Sequence, residues 1–408
     1  MKVLSLFDGM ACGIIAMQFA GMKVESYDAY EIDKYAIKTA QHNFPMIKEH
    51  GDVFGADFTQ YKGVDFLIGG SPCTYWSIAQ TKNRETVASG MGWELFSQYV
   101  RALHEAKPKY FIYENNKSMS KAIRASIDEA FGFEAVPINS ALVSAQNRQR
   151  LYWVGRRNED GTYSKVNVGQ PADRGILLKD VLDSAVAMRE KAHAIDANYY
   201  KGGNFTPPNK QSGKRLMAAE PVPLSEREMD YMVRDHQERR WNFCNRPGEK
   251  DKSVCITANI HKGVPYNMVA EPVRGMVNDT KSRTLTANYW KTNVRDAFVD
   301  CAGGRTMVTE PIDAIEFDDE GRPIKAIGKE ITIYEVKDGK ITIKGKQYPI
   351  KLKDGYYIIR KLTVRECMRL QTVPEWYEFP VSNSQAYKML GNGWTCEVIA
   401  HLIRSCNG

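Results

Sequence analysis

Along the first third of the chain the spacing of apolar positions switches back and forth between the period of a strand and that of a helix. Lys2–Phe7 is an apolar run of strand length, and the glycine turn Asp8-Gly9-Met10-Ala11-Cys12-Gly13 leads from it into a helical pattern over Ile14–Ala20 that Gly21 closes in the C′ position. Lys23–Tyr30 reads as a second strand, and Asp33 caps a helix that runs to about Asn43. Val64–Ile68 is a short apolar run bounded by glycine at both ends. Glu94–Ala106 then puts Leu95, Phe96, Tyr99, Val100 and Leu103 on one helical face, and Lys109–Tyr113 returns to strand. Strands alternating with single helices predict a Rossmann-like α/β fold, a parallel sheet with helices on both faces and ligands at the carboxyl ends of its strands. Near the other end, Thr363 and Glu366 have the spacing of a capping box, and Val398, Ile399, Leu402 and Ile403 form a last helical stripe.

Composition narrows the class without choosing within it. The chain has 408 residues, 43% apolar and 26% charged, enough for one large core or for a catalytic domain plus a smaller one. Its formal charge of +7 is compatible with a polyanionic partner and equally with an ordinary basic enzyme. The eight cysteines show neither C-x-x-C spacing nor a dense framework, which argues against a zinc site or a disulfide scaffold and for a reducing compartment. No signal peptide precedes Lys2, and no apolar run approaches the roughly 18 residues of a membrane span. The expectation is a cytoplasmic protein with no membrane partner and no metal.

Candidate chemistry gathers at the predicted strand ends. Val64–Ile68 opens into Gly69-Gly70-Ser71-Pro72-Cys73, where Pro72 fixes its own φ and restricts Ser71, so that the thiol of Cys73 is held in one direction as a candidate nucleophile. Taken alone, one free cysteine is more often a small buried hydrophobe. The turn Phe7-Asp8-Gly9-x-x-x-Gly13 lacks the G-x-G-x-x-G spacing that cradles a pyrophosphate. Glu31, at the end of the second strand, can accept from both hydroxyls of a ribose, and Asp52 in Gly51-Asp52-Val53 supplies a further acceptor. A ribose acceptor and an apolar wall without a phosphate cradle favour an adenosine tail such as that of S-adenosylmethionine over NAD. Glu114, just past an apolar strand, shares the edge with Cys73 as a candidate acid. Arg148 and Arg150 sit on alternate positions before Leu151–Val154, so their guanidinium groups are expected on one face, ready for a phosphate or a base carbonyl.

Taken in order, these blocks resemble the cytosine-C5 DNA methyltransferase family. The resemblance runs through Phe7–Gly13, Tyr30–Asp33, Gly51–Val53, Ser71-Pro72-Cys73, Glu114-Asn115 and Gln146-x-Arg148-x-Arg150. It resumes with Arg360-Lys361-Leu362-Thr363-x-x-Glu366-Cys367-x-x-Leu370-Gln371 and Leu390-Gly391-Asn392-Gly393. Asn116 departs from the family's usual Val, and Trp394 after Gly393 is a second variation; the turn at Asp8–Gly13 looks most like that of the animal de novo enzymes. The resemblance implies a Rossmann-like S-adenosylmethionine-dependent methyltransferase sheet plus a smaller, mainly β target-recognition domain. The catalytic domain would comprise residues 1–160 and 360–408, with recognition in 161–359 and added hairpins around 314–357. The implied substrate is double-stranded DNA, and a cognate restriction endonuclease is an allowed partner. Cys73 would add to C6 of a flipped-out cytosine, Glu114 would hold N3 and the exocyclic amine, Arg150 would hold O2, and Arg148 would support the loop. Phe7, Asp8, Gly9, Gly13, Glu31, Ile32, Asp52, Val53 and Asn392 carry over as cofactor contacts. The rivals are a tRNA cytosine-C5 methyltransferase, a catalytically inactive DNA-binding relative, and a nicotinamide dehydrogenase, which lacks its pyrophosphate turn here.

The middle of the chain has internal order without a catalytic signature. Lys252–Lys262 recurs as Lys281–Lys291, each copy ending Thr-Ala-Asn-x-x-Lys, and a Met-x-x-Glu-Pro pattern appears at Met217, Met268 and Met307. Strand-like runs ending in proline predict a small β-rich domain, and the basic excess concentrates there. Lys262 and Lys291 are assigned to phosphates, and Asn259 and Asn288 either to bases or to turn bracing, the commoner role.

Overall fold

In the computed structural model the described residues are 1–77, 84–183, 190–197, 199, 217–221, 333–343, 346–349 and 352–407. The repeats with Asn259, Lys262, Asn288 and Lys291 lie outside them. The chain divides into two compact units: Met1–Thr206 with Lys210–Ala218 and Lys361–Gly408, and Pro207–Asn209 with Ala219–Arg360.

The first unit is built on one sheet. Its strands are β1 (Lys2–Leu6), β2 (Ser26–Tyr30), β3 (Ile47–Glu49), β4 (Phe66–Gly69), β5 (Tyr110–Asn116), β6 (Val136–Asn139), β8 (Gln149–Arg157) and β9 (Tyr163–Lys165). They lie in the order β3-β2-β1-β4-β5-β8-β6, with β9 added on β8; the two-residue β7 (Gln146–Asn147) and β10 (Ala192–His193) pair separately. Successive side chains go to opposite faces, as the pleat requires. Val3, Phe66, Ile68 and Ile112 join one buried cluster, with residues of α1 (Cys12–Phe19), α2 (Lys34–Asn43) and α7 (Cys396–Asn407). Leu4, Leu6, Leu67, Phe111 and Tyr113 join the other, with residues of α3 (Gly90–Ala106) and α4 (Lys121–Phe131).

The expected element order holds, with three departures. The first strand stops at Leu6, because Phe7 takes a left-handed φ of 58° and turns the chain. The second begins only at Ser26, opposite Lys2, where its partner strand begins. The sheet is also mixed: β8 runs antiparallel to both β5 and β6, while β1–β5 pair in parallel. The link from β6 to β8 is too short for a crossover helix, so the strand can only return antiparallel. Local signals act as read. Asp33 accepts from Tyr35 N at 3.0 Å, and Gly21 (φ 72°) ends α1 with Gly21 N and Met22 N donating to the carbonyls of Gln18 and Met17. Thr363 and Glu366 form the capping box of α5 (Val364–Leu370). A sixth helix, α6 (Asn383–Asn392), precedes α7.

The second sheet has the order β11-β15-β12-β13-β14, formed by Met217–Pro221, Gly355–Lys361, Ile333–Lys337, Lys340–Ile343 and Lys346–Pro349. Among the described residues no helix is long and apolar enough to cross a membrane, and no cluster of His, Cys, Asp or Glu could hold a metal ion.

Candidate active site

The carboxyl end of β4 turns sharply because two glycines allow it. A Cβ on Gly69 would lie 2.7 Å from the Leu6 carbonyl oxygen, and one on Gly70 would lie 2.7 Å from that of Glu114, so the loop passes against bare backbone. Pro72 (φ −50°, ψ 117°) delivers the chain to Cys73, which opens a single 3₁₀ turn, Cys73–Tyr75. Trp76 N and Ser77 N both donate to the Cys73 carbonyl, and the Trp76 ring beneath is fully buried. Ser71 is tied to β5 through Tyr113 OH at 2.6 Å and through Asn115 Nδ2, which donates to its carbonyl at 3.1 Å. Cys73 is a free, half-buried thiol.

On the next strand in sequence and in space, β5, Glu114 lies beside the Gly70 turn and is buried. The antiparallel register sets Asn116 opposite Arg150, and Arg150 Nε lies 3.0 Å from Glu114 Oε1. The other carboxylate oxygen, Oε2, accepts from Trp394 Nε1 at 3.0 Å. Arg148 does something else. It precedes β8, yet its guanidinium leaves on the same side as that of Arg150: it holds the Gly391–Gly393 backbone beside Trp394, whose indole reaches the Glu114 that Arg150 pairs with. It is 3% exposed and donates to the carbonyls of Ile195 (2.9 Å), Gly391 (3.0 Å) and Gly393 (2.8 Å). Burial, then the neighbouring charge of Arg150, pulls its pKa down to about 10. Asn116 Nδ2 donates to the Cys73 carbonyl at 3.4 Å and Asn116 Oδ1 accepts from Ser118 Oγ at 3.0 Å, so this departure from the family pattern links the thiol's loop to β5. Beside Arg150, Asn116, Lys117, Ser118 and Gln149 line a shallow open depression, in which Lys117 Nζ donates to Gln149 Oε1 at 2.7 Å.

The residues read as cofactor contacts collect at the ends of β1, β2 and the segment after β3. Phe7 and Ala11 have φ near 60°, a strained backbone for residues with side chains, and Gly9 (φ 62°) shares it at no cost. Gly9 N donates to Glu31 Oε2 at 2.9 Å, while Ile32 N and Asp33 N donate to Glu31 Oε1, each at 2.8 Å. A carboxylate has about four lone-pair directions. Three are used here, so Glu31 retains one rather than the pair assumed for two ribose hydroxyls. Gly13 faces away from this edge: a Cβ there would come within 2.3 Å of Ile68 Cδ1 and 2.5 Å of Tyr27 OH, so its place is explained by packing of helix on sheet. Ile32 is 76% and Phe54 46% exposed, Asp52 is exposed and caps the turn at Val53–Gly55, Val53 is buried, and Asn392 is exposed at the end of α6.

Asp8 is buried. Its Oδ1 accepts from Ser5 Oγ (2.5 Å) and Tyr27 OH (2.6 Å), and its Oδ2 has no partner. Burial raises its pKa to about 6 against those two hydrogen bonds. Glu49, at the end of β3, has no partner for either oxygen; burial, then Asp8, then Glu31, push its pKa up to about 8. Sequence reasoning missed Glu49, and it treated Trp394 as a variant rather than a participant. The tryptophan directly after Gly391-Asn392-Gly393 was the available signal for the latter.

The sheet with its helices on both faces is a Rossmann-like methyltransferase fold. A DNMT2 variant from Spodoptera frugiperda superposes with a TM-score of 0.52 at 13% identity, covering 100% of this chain and 99% of that one. The model of the C-5 cytosine-specific DNA methylase family matches residues 1–408, and the chain belongs to that family. It is similar to the orphan methyltransferase M.SPRI of Bacillus phage SPR, 27% identical over 99% of this chain and 97% of that protein. It is also similar to the type II methyltransferase M.NgoPII of Neisseria gonorrhoeae, 31% identical over 51% of this chain and 66% of that protein.

Proposed function

We propose that this chain methylates C5 of cytosine in double-stranded DNA, with S-adenosylmethionine as donor, through a covalent bond from Cys73 to C6 of a flipped-out base. The observation that carries the reading is the Arg150–Glu114 pair at 3.0 Å on the sheet edge that also bears Cys73. C5 of cytosine is a weak nucleophile. Addition of the Cys73 thiolate at C6, with Glu114 holding a proton at N3 and accepting from the exocyclic amine, gives C5 enamine character. Arg150 turns its remaining donors to O2, and Arg148 holds the Gly391–Gly393 backbone. Once C5 carries the donated methyl group, loss of the C5 proton to water would let the Cys73–C6 bond break and return the thiolate. A base inside a duplex cannot meet Cys73, so flipping is part of the reading.

The cofactor edge fits the proposed donor. The stretches Phe7–Gly13, Glu31–Ile32 and Asp52–Val53 contain no lysine or arginine but include Asp8, Glu31 and Asp52, with Ile32 and Phe54 exposed beside them. Such a surface repels a pyrophosphate and suits an adenosine bearing a sulfonium and an ammonium group. Bound there, S-adenosylmethionine would supply an electrophilic methyl group. Glu31, Asp52 and the Phe7–Gly9 backbone would hold it.

Residues 161–359 are assigned to target recognition, with Lys262 and Lys291 on phosphates. Lys262→Ala and Lys291→Ala should each lower the salt-dependence slope of binding by about 1, whereas Asn259→Ala or Asn288→Ala should change the methylated motif only if that residue reads a base. A partner restriction endonuclease rests on the type II names of relatives alone. The test of the whole reading is a duplex with 5-fluorocytosine at its target sites, incubated with S-adenosylmethionine. A covalent adduct is expected, since fluorine cannot leave as the proton does. No adduct, or methylation of tRNA in preference to DNA in a parallel assay, overturns it.

A further inference from the structure

The backbone on both sides of Trp394 is pinned. Arg148 donates to the carbonyls of Gly391 and Gly393 (3.0 and 2.8 Å), and Gln371 Nε2 donates to those of Leu390 (2.6 Å) and Gly393 (3.2 Å). Thr395 Oγ1 donates to Gln371 Oε1 and pairs with Ser140 Oγ, both at 2.9 Å. From this fixed base the indole reaches back to the acid. Its Nε1 meets Glu114 Oε2 at 3.0 Å, while Arg150 takes Oε1, so each carboxylate oxygen has its own donor and the plane of the group is set by two of them. The third wall is Gly70, where a Cβ would lie 3.0 Å from Glu114 Oε2 and 3.5 Å from Trp394 Nε1. An indole N–H donates only, on a ring with two torsions and little freedom to lose. Arg150 alone would leave Oε2 free to swing.

We propose that Trp394 is a positioning residue for Glu114, fixing through its indole N–H the carboxylate plane that meets the hydrogen-bonding edge of the cytosine, with Arg148 holding the loop that presents it. The second lone pair of Oε2 remains for the base, so Trp394 governs turnover without touching the substrate. This rests on the reading of Glu114 given above.

The decisive variant is Trp394→Phe in the full chain, which keeps a ring and removes the N–H. The expected result is a fall in kcat on the order of 10-fold, the cost of one hydrogen bond to a charged group. KM for duplex and for S-adenosylmethionine should stay within about twofold, because the contact orients rather than binds. In a Glu114→Gln background the same change should have no further effect. In the free protein, the indole ¹⁵N–¹H resonance of Trp394, assigned in the wild-type spectrum from its through-space neighbours, should shift in Glu114→Gln, which tests the contact even if Trp394→Phe folds poorly. Wild-type kcat in Trp394→Phe, an equal loss in both backgrounds, or an unmoved resonance overturns the proposal. Failure of wild-type protein to form the 5-fluorocytosine adduct would instead remove the methyltransferase reading, and the resonance would still decide the contact.

Discussion

Glu114 and Asp8 stand on the carboxyl edge of one sheet, separated by a single strand, and their surroundings are opposite. Glu114 has a guanidinium on one oxygen and an indole N–H on the other. Asp8 has two hydroxyls on one oxygen and nothing on the other, and its charged neighbours are further carboxylates, Glu31 and Glu49. One half of the edge compensates its own charge and fixes the direction of its acid before a substrate arrives. The other half sets carboxyl groups in a partly buried place where, among the described residues, no cation pairs with Asp8 or Glu49. Burial and their neighbours therefore push Asp8 and Glu49 toward the protonated form, and a cationic ligand would favour their ionisation. A single fold thus supplies a preset half, suited to orienting a neutral base, and an uncompensated half, suited to holding a sulfonium.

The most damaging way to break the preset half is at the nucleophile. Cys73→Ser changes little volume but substitutes a hydroxyl of far higher pKa, so methyl transfer and adduct formation should both fall below detection while duplex and cofactor still bind. Turnover retained in the Ser variant would remove Cys73 from the mechanism.

Next in size is the support of that half. Arg148→Met would leave the buried carbonyls of Ile195 and Gly391 without their side-chain donor, and that of Gly393 with Gln371 alone, and should cost about 2–6 kcal/mol in a denaturant titration, as for two unsatisfied buried polar groups. Arg148→Lys should cost clearly less, since an ammonium can still serve one or two of the carbonyls. A Met variant as stable as wild type would mean that the Gly391–Gly393 loop is held by Gln371 alone.

Much of this was legible in the sequence, for reasons particular to each feature. Asp33, Gly21 and the Thr363–Glu366 box act within a few residues, so local chemistry decides them, and the alternation at Val3/Leu4 or Phe66/Leu67 reports the pleat directly. Cys73, Glu114 and Arg150 were visible because each flanks a recognisable apolar run, although β5 and β8 extend past those runs to include Glu114 and Arg150. The antiparallel course of β8 was not, because direction depends on the length of a connection rather than on the composition of the strand. The spacing of Arg148 and Arg150 puts them on one side, but it could not show that Arg148 spends its donors on the carbonyls of Ile195, Gly391 and Gly393, 47 to 245 positions away. The link from Trp394 to Glu114 spans 280 positions, and no local pattern encodes a contact of that separation. Glu49 escaped notice because a carboxylate at a strand end ordinarily reads as solvated.

On the uncompensated half, Glu31 does two tasks, and its variants separate them. Glu31→Ala removes the acceptor for Gly9, Ile32 and Asp33 as well as the one direction left for a ribose, and should weaken S-adenosylmethionine binding by about 1.5–3 kcal/mol. Glu31→Gln keeps the length and one acceptor oxygen and should lose less. Calorimetry giving unchanged affinity in Glu31→Ala, or tight binding of NAD to wild type, would reject the pocket.

A dependence of stability on pH probes the difference between the two halves without any ligand. Glu49 has a folded pKa of about 8 against an ordinary 4.5, and Asp8 about 6 against 3.8. A carboxyl with a raised folded pKa favours the folded state while protonated, so its contribution is full below the ordinary value and is lost as pH rises through the folded one. Asp8 has finished titrating by the time pH climbs well past 6, which leaves Glu49 as the raised carboxyl changing state on the way to 8. Wild-type protein without ligand should therefore melt at progressively lower temperature from pH 6 to beyond 8, and Glu49→Gln, which mimics the protonated group, should flatten that slope and melt higher than wild type at the alkaline end. Thermal scans of both proteins across this range decide it: parallel curves would mean that Glu49 is ionised throughout the range and adds its charge to those of Asp8 and Glu31.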